Sequence, residues 1–209
     1  MLDLSRLSFE PEEHIYRLNG RMLPAVTQII GELERDGGVY VNRYSGAVVP
    51  AGAVEGARDY GATVHRLFQL FATGGDDRIA REKLSPELRR AYDTINMSFD
   101  AKGIVPIGSE VMLYHPDETY AGTVDLVARV GGQLTVIDLK GGTKPGGVGM
   151  QTAGYEPMVR AWLGLQPGGV IKRACLHLPK KGLHRWIPLE DPADYERFEE
   201  RRVAHEHNR

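Results

Sequence analysis

Two aspartates and a lysine stand close together in the middle of the chain: Gly122-Thr123-Val124-Asp125, then twelve residues, then Asp138-Leu139-Lys140. In a strand, residues i and i+2 point to the same face, so Asp138 and Lys140 project together. Counted back from the Gly131-Gly132 turn, Asp125 falls opposite Asp138 on the neighbouring strand. Two carboxylates brought so close repel each other, and a divalent cation between them is the best remedy. Hard carboxylate oxygens suit Mg²⁺ or Mn²⁺. On its own, an Asp with a Lys two residues later is usually a surface ion pair. Here the pair is embedded in Val136-Ile137 and Leu139, a setting in which an exposed ion pair without a function is less expected.

The elements that must hold these residues follow from periodicity. Val105 to Tyr114, Tyr120 to Val130 and Gln133 to Leu139 read as three strands of an antiparallel meander, with His115-Pro116-Asp117-Glu118 and Gly131-Gly132 as turns. Before them, a hairpin over 14–23 turns at Asn19-Gly20. Pro24 to Leu33 reads as a short helix, and Gly37 to Gly52 as loop. A helix from Ala53 carries the stripe Val64, Leu67, Phe68 and Phe71. Another opens on Ser85-Pro86-Glu87 and closes at Gly103. After the meander, Met150 to Leu163 is helical, although Pro157 must kink that helix or mark a late start. Val170 to Leu178 and Leu183 to Leu189 form a second hairpin, and a charged helix over 192–205 closes the chain.

Four features, the two aspartates and the lysine among them, occur along the chain in a fixed order. They are Gly61-Ala62-Thr63-Val64-His65 on the upstream helix, Glu110 on the first strand, the Asp125…Asp138-Leu139-Lys140 set, and Gln151-Thr152-Ala153-Gly154-Tyr155 on the downstream helix. In this combination the chain resembles the PD-(D/E)XK nuclease superfamily, in its RecB-like, phage-type exonuclease branch. The resemblance spans roughly 53–163, and the opening hairpin with Pro24-Ala25-Val26-Thr27 is also similar to phage members.

The resemblance implies a single restriction-endonuclease-like α/β domain over 1–209, a mixed central sheet flanked by helices, with the nuclease core at about 53–189. It implies His65, Asp125 and Asp138 as side-chain metal ligands, the Leu139 carbonyl as a fourth, and Glu110 as an outer or second-metal residue. Lys140 would orient or deprotonate the attacking water and stabilise charge growing on the phosphate. Gln151 would meet the lysine or a nucleotide and Tyr155 the DNA backbone, with Lys144 of the intervening glycine-rich loop counted among the DNA contacts. The activity implied is Mg²⁺- or Mn²⁺-dependent hydrolysis of DNA by a phage or prophage exonuclease in recombination or end processing. Its alternatives are an endonuclease, a nuclease subunit of a repair or defence complex, or a catalytically silent DNA-binding domain on the same fold. The implied partners are DNA, a single-strand annealing or other recombination protein, and further copies of the chain in a ring.

Composition narrows the remaining classes. With 26 basic and 28 acidic residues the net charge of −2 neither demands nor forbids nucleic acid. The single cysteine, Cys175, excludes a four-cysteine iron–sulfur cluster within the chain and reads as a buried, inert thiol. Gly141 to Gly149 lacks the Gly-Lys-Ser/Thr ending of a nucleotide loop, so no ATP site is expected. No apolar run approaches a membrane span of about 20 residues, and Glu10, Glu12 and Glu13 stand where a signal peptide needs apolar residues. A protein of the bacterial or phage-infected host cytoplasm, without membrane contact, is expected. His115 to Glu118 reads as a solvated turn, and His205, Glu206 and His207 as a fraying end. Lys180-Lys181 and Lys172-Arg173 are either phosphate contacts or solvated charge.

Overall fold

The computed structural model describes residues 2–31, 33–36, 39–42, 48–75, 81–141 and 146–207. The N-terminal segment forms a three-stranded antiparallel sheet of β1 (Leu7–Glu10), β2 (Ile15–Leu18) and β3 (Arg21–Leu23). Asn19 and Gly20 take φ of 50° and 83° at the β2–β3 turn, as the tight hairpin requires. The sequence reading lacks β1, whose four residues are too short for a period to show. The Pro24 carbonyl accepts the Ala121 amide at 3.0 Å, which fastens this small sheet to the central one.

The helix expected over Pro24 to Leu33 is shorter, α1 (Val26–Ile30). The Gln28 side chain accepts the Ala25 amide at its start, and Gly31 ends it at φ 53°. A second three-stranded antiparallel sheet follows, of β4 (Leu33–Asp36), β5 (Val39–Asn42) and β6 (Val48–Pro50). The stretch from Gly37 to Gly52 is therefore not simply loop. It holds β5, β6 and the start of α2 (Ala51–Ala72), because Val39-Tyr40-Val41 and Val48-Val49 favour strands in runs too short to alternate visibly. Next comes α3 (Pro86–Lys102), with Ser85 Oγ accepting the Leu88 amide, Pro86 in the first turn and Gly103 at φ 56°.

The meander consists of β7 (Ile104–Tyr114), β8 (Ala121–Val130) and β9 (Gln133–Lys140). It is followed by α4 (Val148–Trp162), β10 (Lys172–His177), β11 (Arg185–Pro188) and α5 (Ala193–His207). The central sheet has the order β11-β10-β9-β8-β7. Only β9 and β10 run parallel, and α4 lies in the long crossover that a parallel pair requires. Alternate residues serve opposite faces. Leu126, Ile137 and Leu139 pack with Val64, Phe68 and Ile95 of α2 and α3, whereas Val127 and Val136 pack with Ile29, Met158 and Phe198 of α1, α4 and α5. The result is one α/β domain, a five-stranded mixed sheet flanked by helices. Among the described residues no helix is long and apolar enough to cross a membrane.

Pro157 lies inside α4, which runs on to Trp162. The Tyr120 hydroxyl donates to the Gly154 carbonyl at 3.0 Å, in the turn where the proline removes a backbone donor. Gly154 also lets α5 approach: a Cβ there would lie 2.7 Å from the Phe198 ring. Arg173 ties the same layer together, bonding the Gly149 carbonyl at 2.8 Å and Asp194 at 3.1 Å. Gly154→Ala should destabilise the fold by about 1–3 kcal/mol through overpacking, lowering the melting temperature by about 2–4 °C per kcal/mol. An unchanged calorimetric midpoint would refute this close α4–α5 packing.

Candidate metal centre

The ladder between β8 and β9 runs from Val130–Gln133 to Leu126–Ile137 and ends there. The next step in register would set Asp125 against Asp138, as the sequence count expects. Instead, Asp125 Oδ2 accepts the Leu139 amide at 2.7 Å, so a carboxylate takes the place of a backbone partner and the strands part. A strand residue projects its N–H and C=O to the same edge, so the Leu139 carbonyl also faces the Asp125 side.

Three elements converge on this opening. β7 brings Glu110, whose φ of 51° interrupts an extended strand while Ser109 and Val111 on either side still pair with Leu126 and Val124. A non-glycine residue in this region costs about 1–3 kcal/mol and is kept only where its surroundings enforce it. Here it accompanies a Glu110 carboxylate 3.8 Å from His65 Nδ1. α2 brings His65, one turn beyond Gly61, whose Cα would lie 3.0 Å from a Cβ at Gly141; the chain leaving β9 thus passes directly over the helix. Val64 and Phe68 bury the neighbouring face of α2 and hold His65 at the sheet, with Nδ1 3.6 Å from Asp125 Oδ1. One ligand atom from each of His65, Glu110 and Asp125 lies within 4.8 Å of the others.

α4 supports the site from the opposite face. The Lys140 ammonium lies 3.2 and 3.1 Å from the two oxygens of Asp138, and it donates to Gln151 Oε1 at 2.8 Å. Gln151 Nε2 in turn donates to the Tyr155 hydroxyl at 3.0 Å. Tyr155 is only 3% exposed and sits behind Gln151, its ring against Gly122, where a Cβ would meet it at 2.7 Å. The expected site residues are therefore gathered in two adjoining groups: His65, Glu110 and Asp125, and Asp138, Lys140, Gln151 and Tyr155. Asp138, expected as a metal ligand, faces the lysine, and Glu110, expected as an outer or second-metal residue, stands with the histidine. Lys144 lies outside the described residues. One participant carries no sequence signal: Tyr16, 107 positions from Thr123, closes the N-terminal side with its hydroxyl 2.7 Å from Thr123 Oγ1.

The electrostatics explain what such a cluster lacks. Burial raises the Asp125 pKa, and the charge of Asp138 raises it further, against the opposing pull of His65 and Lys140. Burial works against a charged His65, but Asp125, Glu110 and Asp138 outweigh it and push the pKa up to about 9. Lys140 is likewise opposed by burial and held above the ordinary lysine value by Asp138 and Asp125. Protons thus occupy the place where positive charge is needed. The donor set, one imidazole and two carboxylates, suits a small divalent cation. In octahedral Mg²⁺ coordination at 2.0–2.1 Å, adjacent and opposite ligand atoms are about 3.0 and 4.2 Å apart, and the separations of 3.6 and 3.8 Å fall between.

No protein-family model matches the chain, and no curated protein matches it either.

A cation and protons compete here, and the sign follows. With pKa values raised above those of the unfolded chain, Asp125 and His65 bind more protons when folded. Their stabilisation of the metal-free protein is present at low pH and is lost as the pH rises, for His65 through about 9. A bound cation displaces those protons, so its affinity must rise over the same range. The Mn²⁺-induced increase in melting temperature should therefore grow from pH 6 to pH 9 and be abolished in His65→Ala. A shift independent of pH, or retained in His65→Ala, would contradict this centre.

Proposed function

We propose that the chain is a metal-dependent deoxyribonuclease of the PD-(D/E)XK type, with a restriction-endonuclease-like core, acting as a phage-type exonuclease in DNA recombination or end processing. The observation that carries this reading is the adjacency of a three-donor cation centre and a half-buried, hydrogen-bonded lysine at the point where two central strands part. A mixed five-stranded sheet with helices on both faces is compatible with that core.

His65, Glu110 and Asp125 would hold Mg²⁺ or Mn²⁺, with the Leu139 carbonyl on the same side. When bound, such an ion polarises the scissile phosphate and makes hydroxide available near neutral pH. Lys140 supplies the second positive charge. Held by Asp138 and Gln151, it is placed to donate hydrogen bonds to the phosphate as negative charge grows, or to orient or deprotonate the attacking water. Asp138 and Gln151 hold its ammonium in place, so little reorganisation is needed in the transition state. Tyr155 acts one step back by orienting the Gln151 amide.

Lys140→Ala or Asp138→Ala should lower kcat by about 100-fold or more, as for loss of a transition-state donor, with an unchanged circular dichroism spectrum. Asp138→Ala protein that cuts DNA as fast as wild type would overturn the assignment. Linear and circular, single- and double-stranded DNA with Mn²⁺, Mg²⁺ or EDTA identify the substrate. Hydrolysis of linear DNA alone, abolished by EDTA, supports the exonuclease; cutting of circles makes it an endonuclease; no hydrolysis by wild type refutes the nuclease.

A further inference from the structure

We propose that the β10–β11 hairpin carries a phosphate-binding track leading away from Lys140, so that the site receives a polynucleotide held at several successive phosphates. What lies at Lys140 itself rests on the nuclease reading above; the track rests on the sheet register. Lys140 of β9 pairs with His177 of β10, and His177 pairs with Arg185 of β11. Residues paired directly across strands project to the same face, so the three form a row starting at the proposed catalytic lysine, with His177 buried between Lys140 and the exposed Arg185. Adjacent strands lie about 4.8 Å apart, which sets Arg185 about 10 Å from Lys140 along the row. Over that length one strand of a duplex carries about three phosphates.

The turn beyond the row adds Lys180 and Lys181, both exposed, as is Arg185. This tip is held in place. Arg90 of α3 donates to the Lys180 carbonyl at 2.7 Å, Thr94 Oγ1 lies 2.7 Å from His184 Nδ1, and the Leu178 amide donates to the Lys140 carbonyl at 2.7 Å. A pre-ordered cationic ledge loses little entropy when an anionic strand binds. Glu87 of α3 is near enough to feel the charge of Lys180 and offsets part of it. The basic pair at the opposite end of β10 differs: Arg173 is engaged by Asp194, the Gly149 carbonyl and the Asp191 carbonyl, and Lys172 pairs with Thr135, far from the opening. Lys180, Lys181 and Arg185 are thus exposed at the site end of the hairpin, whereas the arginine at the other end holds the fold together.

The test is fluorescence anisotropy of a labelled oligonucleotide in EDTA over a salt series, comparing wild type with Lys180→Ala/Lys181→Ala/Arg185→Ala. None of these residues belongs to the proposed catalytic machinery. Wild type should bind with an affinity that falls steeply with salt, and the triple variant should bind about tenfold more weakly at low salt, its slope reduced by about 2–3. Hydrolysis of bis(p-nitrophenyl) phosphate, too short to reach the hairpin, should be equal in the two proteins. Equal affinity and slope would overturn the track, and so would an absence of oligonucleotide binding by wild type. Salt-dependent binding lost in the triple variant, without Mn²⁺-dependent hydrolysis by wild type, would sustain the track and refute the nuclease.

Discussion

Asp125 accepts the Leu139 amide at the point where β8 and β9 stop pairing, and the organisation of the site follows from that substitution of a side chain for a backbone partner. Were the ladder to continue, the edge of β9 would be filled by β8. Because a carboxylate satisfies the amide, the strands part without leaving a buried donor unpaired. The opening admits His65 from the helix on one face, while Lys140 is held by a helix on the other.

That opening concentrates carboxylates where water is scarce. Asp138 is 1% and Asp125 9% exposed, with Glu110 drawn alongside in a strained backbone conformation. Burying like charges is costly unless positive charge accompanies them. Lys140 neutralises part of the cluster through Asp138, and His65, with its pKa raised to about 9, supplies a proton elsewhere. The site thus resembles a cation centre whose ligands are assembled in advance, with protons standing in for the ion. Local strain and charge crowding are held in place by the two hydrophobic layers packed around the sheet.

Much of this was legible in the sequence, for identifiable reasons. The meander is readable from strand-like runs of eight to eleven residues bounded by the His115 to Glu118 and Gly131-Gly132 turns, and α3 from its Ser85 cap and closing Gly103. The short strands β1, β4, β5 and β6 escape because three or four residues carry no usable period unless a turn such as Asn19-Gly20 marks them, as it does β2 and β3. Within the site, Asp138 and Lys140 were readable from strand geometry, and the order of the remaining motifs pointed to their partners. The left-handed turn at Glu110 was not readable, since glutamate has no preference for it. Nor was the burial of Tyr155, because a tyrosine four residues after Gln151 has the same spacing whether it faces DNA or the core. The register row from Lys140 to Arg185 depends on a parallel crossover that local sequence does not specify.

The central claim is that His65, Glu110 and Asp125 form one cation centre. Its most direct test is anomalous diffraction from crystals grown with Mn²⁺. A single strong manganese peak within bonding distance of the His65 imidazole and the Asp125 carboxylate, next to Lys140, is the predicted result. Manganese bound only elsewhere on the protein, with His65 still paired to the carboxylates, would contradict the account.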